Sequence, residues 1–160
     1  MRELEAIEVT TSALEPGCEQ TLLIGQPHPE PILLSHFEVT ALVPAPSIAA
    51  LTDLRIDQVC YLMTPVSLSL IQREQHHAEK RAKRETHQLL TELIGSVPSP
   101  QLLRRFKPNR RELRQAVLDI GWKPGQQLVV TFKNCGPSVI GKISIELVLY
   151  ARDLFLPAAN

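Results

Sequence analysis

Ten basic residues in the middle of the chain are the side chains whose types and spacing could do chemistry. Lys80, Arg81, Lys83 and Arg84 share one stretch, and Arg104, Arg105, Lys107, Arg110, Arg111 and Arg114 follow within eleven residues. Closely spaced guanidinium and ammonium groups match the oxygens of phosphates and carboxylates. The chemistry they offer is therefore capture of an anionic partner, either a nucleic-acid backbone or an acidic protein surface. The bland alternative is a solvated helix face laced with salt bridges. Only Phe106 and Trp122 lie near, so there is little aromatic platform for stacking bases. A nucleic-acid partner would be held by its backbone, without base readout.

Other reactive residues point nowhere. Adjacent His76 and His77 would sit ~100° apart on a helix, which does not suit one metal ion. His77 and His87 are ten residues apart and share a face poorly. Cys18, Cys60 and Cys135 are scattered and form no CxxC pair, so no zinc or thioredoxin-type site is expected. They are expected to be reduced, partly buried thiols acting as small hydrophobes. Asp53 and Asp57 would pair only on a helix, and the segment reads as strand. The sequence has no GxSxG, HExxH, Walker A or GxGxxG pattern, and seven glycines in all. We expect no enzyme, catalytic residue, cofactor, metal or small-molecule substrate.

The elements that must position the cations differ sharply in charge. The formal net charge is zero. Residues 1–71 hold two basic and nine acidic residues, residues 72–115 eleven and five, and residues 116–160 four and three. A basic module thus sits inside an otherwise acidic chain. Hydrophobic residues make up 44% of the chain, enough for a real core. No apolar run reaches the ~20 residues of a membrane span, and the acidic N-terminus does not read as a secretory signal.

Around the basic module the sequence reads as β. Residues 4–11 form a short mixed segment, Pro16-Gly17 is a turn, and Gln20 to Gly25 is a strand. Prolines 27, 29 and 31 impose a stiff extended connection. In the next segment Phe37, Val39, Ala41 and Val43 alternate onto one face. Ser47 to Leu54 reads as one short helical turn and Arg55 to Met63 as a strand. Late in the chain Leu128, Val130 and Phe132 alternate, and so do Ile143, Ile145, Leu147 and Leu149. The Asn134–Ser138 link between them suggests an antiparallel hairpin, led in by the Trp122–Gly125 turn.

Two helices are predicted in the basic module. The first runs from about Leu70 to Ile94, with Gly95 as its C-cap and Pro98 and Pro100 as stops. The Leu89, Leu90, Leu93 and Ile94 group gives it a short apolar stripe. The second spans Asn109 to Ile120, with Asn109 as N-cap and Leu113, Val117 and Leu118 on one face. The expected fold is mainly β: an antiparallel, jelly-roll-like β-sandwich with a basic two-helix insertion. Residues 1–71 supply the first strand set, 72–121 the insertion, and 122–160 the closing β-hairpin of the same sandwich.

Two β segments, PGCEQTLLIGQPHPEPILLSHFEVTAL (16–42) and WKPGQQLVVTFKNCGPSVIGKISIELVLYA (122–151), share a cadence. It runs turn, Pro-Gly, LVVTFKN-type strand, small-residue break, ISIELVLYA-type strand. This resembles small single jelly-roll coat or minor structural proteins of icosahedral bacteriophages. The basic insertion departs from the compact version of that pattern. The resemblance implies a self-assembling virion component, assembled in the host cytoplasm. Its partners would be itself and other structural subunits. The alternative is a cytoplasmic, nucleic-acid-associated binding module acting through the basic helical segment.

Overall fold

The computed structural model describes residues 2–40, 49–106 and 117–151. Strands β1 (Arg2–Glu3), β2 (Ile7–Thr10), β3 (Glu19–Gly25), β4 (Ile32–Val39), β5 (Ala49–Ile56), β6 (Val59–Cys60) and β7 (Val66–Ser67) come first. Helices α1 (Leu68–Ile94) and α2 (Pro100–Arg105) follow, then β8 (Val117–Trp122), β9 (Gln127–Asn134) and β10 (Ser144–Ala151). The strands form two antiparallel sheets. One runs β1-β10-β4-β8, with β2 also on β10; the other runs β3-β9-β5-β6, with β7 also on β5.

Four of the pairings nest one inside another. Strand β2 pairs β10, β3 pairs β9, β4 pairs β8 and β5 pairs β7. The sheets pack face to face because each carries an apolar inner face. All seven residues expected to line one core, Leu128, Val130, Phe132, Ile143, Ile145, Leu147 and Leu149, are fully buried in one cluster. Trp122, Phe37 and Phe132 are its largest fully buried side chains. The space between the sheets is filled by side chains.

The late strands do not form the expected hairpin. Strand β9 lies between β3 and β5, while β10 lies in the other sheet beside β4. Both strands alternate apolar residues onto an inner face, and they meet across the core instead of side by side. The crossing is pinned by fully buried Asn134. Its Nδ2 donates to the Leu14 carbonyl at 2.9 Å and the Ser138 carbonyl at 2.7 Å, and its Oδ1 accepts from the Gly136 N–H at 3.0 Å.

Three further expectations are corrected, and bulges or turns explain each. The helical turn expected over Ser47 to Leu54 is strand where described: Ala49–Ile56 is β5, while 47–48 lie outside the described residues. Its ladder with β9 shifts register between Leu51 and Asp53, so Ala49, Leu51, Leu54 and Ile56 all enter the core. That spacing of two and three residues imitates a helical period. Arg55 to Met63 is not one strand, because Asp57 turns the chain with φ 52° and β6 folds back on β5. The helix expected over Asn109 to Ile120 is also wrong where described, since Val117–Trp122 is strand. Opposite β4 the register shifts between Leu34 and His36, and Asp119 adopts φ 49°. The bulge hides the alternation, while burial of Ile120 and Trp122 selects the strand. The rest of that expected helix, 109–116, lies outside the described residues, as do Ala41 and Val43.

Helix α1 matches its expected span closely. Ser67 caps it by accepting from the Leu70 N–H at 3.4 Å. Gly95 closes it with φ 76° and donates to the Thr91 carbonyl at 2.9 Å. Leu68 and Ile71 enter the sandwich core, and the Gln75 side chain accepts from the Val39 N–H at 3.1 Å. Of the apolar stripe at its end only Leu90 is buried. Pro100 does not merely stop α1 but opens α2, whose N-cap Ser99 accepts from the Leu102 N–H at 3.2 Å.

Candidate basic interface on the helix

Helix geometry decides which cations work together. At 100° per residue, the covered side of α1 follows Leu68, Ile71, Gln75, Ala82, Thr86 and Leu90. Leu68 and Ile71 dock this side on the sandwich. Lys80, Arg81, Lys83 and Arg84 are all exposed. Among them Lys80, Lys83 and Arg84 fall within one ~100° sector, and Arg81 lies ~60° beyond its edge.

Three residues that sequence reasoning passed over complete the sector. Arg73, His76 and His87 occupy the same strip, and all three are exposed. From Arg73 to His87, every residue in that strip is Arg, Lys or His. The four glutamates of the helix, Glu74, Glu79, Glu85 and Glu92, fall on its flanks. The signal was present in the sequence as a 3.6-residue rhythm shared by histidines and cations. It was missed because the histidines were weighed only as metal ligands. Among the described residues no group of three His, Cys, Asp or Glu side chains could hold a metal ion.

The strip makes no close ion pair among the described residues, although Glu79 flanks it at i,i+4 from Lys83. Among the described residues, ion pairs within 4.0 Å join Arg55 to Asp53 and His36 to Glu38, and none involves a cation of α1. Lys80 and Arg84 are a like-charge i,i+4 pair, an arrangement that costs a helix about 0.2–0.5 kcal/mol. The face is solvated, and its described cations form no ion pair within 4.0 Å.

Arg104 and Arg105 are exposed in the last turn of α2, where the helix dipole favours cations. Lys107, Arg110, Arg111 and Arg114 lie outside the described residues. The three cysteines are exposed, not partly buried: Cys18 follows the Pro16-Gly17 turn, Cys60 sits on the short β6 and Cys135 begins the sheet-crossing connection. His36 in β4 is fully buried, with its Nδ1 3.2 Å from Ser35 Oγ and its Nε2 3.4 Å from Glu38 Oε1.

Near the end of α1 and beyond it, Leu89, Leu93, Ile94, Val97 and Phe106 are exposed. In the sandwich, β3 is an edge strand of its sheet, and its Leu23 is 63% exposed. No described helix is long and apolar enough to cross a membrane. No protein-family model matches the chain, and no curated protein or solved structure matches it either.

Proposed function

We propose that the protein is a structural, self-assembling subunit, a capsid or minor structural component of a phage-like virion, built on a jelly roll. The observation that carries this reading is the nesting of four of the strand pairings. With β6 and β7 counted as one return strand beside β5, the order is that of a four-strand hairpin rolled on itself, as in a jelly roll. Helices α1 and α2 then fall between the fifth and sixth strands of the roll.

Two surface features favour assembly with further copies of the chain. Strand β3 has β9 as its one partner among the described strands, and its seven residues contain neither proline nor lysine. Such an edge is a template for pairing with another chain. Leu93 and Val97, 74% and 77% exposed, are apolar side chains left in water that a neighbouring subunit would cover. Assembly would take place in the host cytoplasm and end in the virion.

Light scattering and negative-stain electron microscopy of the purified protein test this reading. Large regular oligomers are expected. Leu93→Lys with Val97→Lys should shrink them while leaving the fold intact, because both side chains are exposed. A parent protein that stays monomeric at every protein and salt concentration overturns the proposal.

A further inference from the structure

We infer that the outward strip of α1, formed by Arg73, His76, Lys80, Lys83, Arg84 and His87, is a contact surface for a nucleic-acid backbone. This goes beyond the assembly reading and does not depend on it. The strip shares no residue with the β3 edge or with Leu93 and Val97, and Leu93 falls outside its sector of the helix.

Three features of the strip select this partner. The first is continuity: from Arg73 to His87 it spans about 21 Å along the helix axis without a carboxylate. A single nucleic-acid strand presents about one phosphate per 3.4 Å of duplex, so the strip faces several phosphates in succession. The second is chemistry: guanidinium, ammonium and imidazole groups all donate hydrogen bonds to phosphate oxygens. The third is what the strip lacks. A protein partner would be anchored by apolar or aromatic side chains in a desolvated centre, and between Arg73 and His87 the strip has none. Nucleic-acid interfaces are instead strongly positive and polar.

The like-charge crowding fits the same partner. Lys80 and Arg84 repel each other in the free helix, and phosphates placed between them would relieve that repulsion. With no base-stacking aromatic on the strip, recognition reads the backbone and is indifferent to sequence.

The test is binding of the full chain to a fluorescent 20-base-pair duplex of random sequence, followed from 50 to 300 mM salt. Lys80→Gln/Arg84→Gln is compared with Arg55→Gln, which removes an exposed cation on β5, outside α1. Each phosphate contact contributes about 0.9 to the slope of log affinity against log salt. The double variant should therefore lose about 1.8 in slope and, at 0.1 M salt, roughly sixty-fold in affinity. Arg55→Gln should bind like the parent, and far-ultraviolet circular dichroism should show α1 intact in all three proteins. A parent that does not bind at 50 mM salt overturns the inference. Equal losses in the double variant and Arg55→Gln also overturn it, since binding would then follow total charge. Light scattering runs alongside: if the double variant loses self-association while the parent ignores DNA, the strip serves an acidic neighbouring subunit and the inference fails.

Discussion

The sandwich and α1 treat their polar groups in opposite ways. In the sandwich, polar side chains that leave water find partners. Asn134 makes three hydrogen bonds at the sheet crossing, His36 reaches Ser35 and Glu38, and the Thr21 and Thr131 hydroxyls meet at 2.9 Å. On α1 the cations stand in water, and among the described residues none has a carboxylate within 4.0 Å. Groups satisfied inside a fold are explained by its stability. Groups crowded against their own kind are not, and that contrast is why function is sought on the helix.

The contrast can be broken by mutation. The largest effect is expected in the sandwich core. Ile145→Asp buries a charge in a fully enclosed position, which costs several kcal/mol. The variant should be insoluble or unfolded on expression, and normal yield with a normal melting curve would refute the core assignment. Asn134→Ala comes next. It strands the buried Gly136 N–H, at about 1–3 kcal/mol for a buried group left without a partner, while the Leu14 carbonyl keeps the Ile140 N–H at 3.0 Å and the exposed Ser138 can turn to water. Urea denaturation should show a loss of about 1–3 kcal/mol; a loss well below 1 kcal/mol would mean that water replaces the amide freely. The smallest effect belongs to α1. Lys80→Gln/Arg84→Gln should leave stability unchanged or raise it by about 0.2–0.5 kcal/mol, since it removes one like-charge pair. A fall in melting temperature of several degrees would show that these side chains support the fold after all.

The same contrast governs how much was legible in the sequence. Where strands keep a strict two-residue alternation, the pattern could be read directly: β9 and β10 were placed almost residue for residue, and so was their buried face. Where a bulge interrupts the alternation, the reading failed. The shift after Leu51 made β5 look helical, and the left-handed Asp119 disguised β8 as the end of a helix. Pairing partners were harder still. Alternation says which face is buried but not which strand lies alongside, so two strands facing each other across the core were read as a hairpin. Helix α1 was legible because its signals are local: good helix formers throughout, a Gly95 cap and no internal proline. The basic site was half legible, with Lys80, Lys83 and Arg84 recognised as cations. Their union with Arg73, His76 and His87 appears only when residues are placed around the helix axis.

Nested pairing also sets the order in which the molecule can be made. Thr10 and Ser144, partners in adjacent strands, are 134 residues apart in the chain. A ribosome releases β2 long before β10 exists, so β2 and β4 wait for the strand that joins them. Contacts this distant in sequence make folding slow, because the loop must close before any pairing rewards it. Helix α1 needs only neighbours in sequence, and helices form in about a microsecond. The expected kinetics are therefore an early helical phase followed by late, cooperative closure of both sheets.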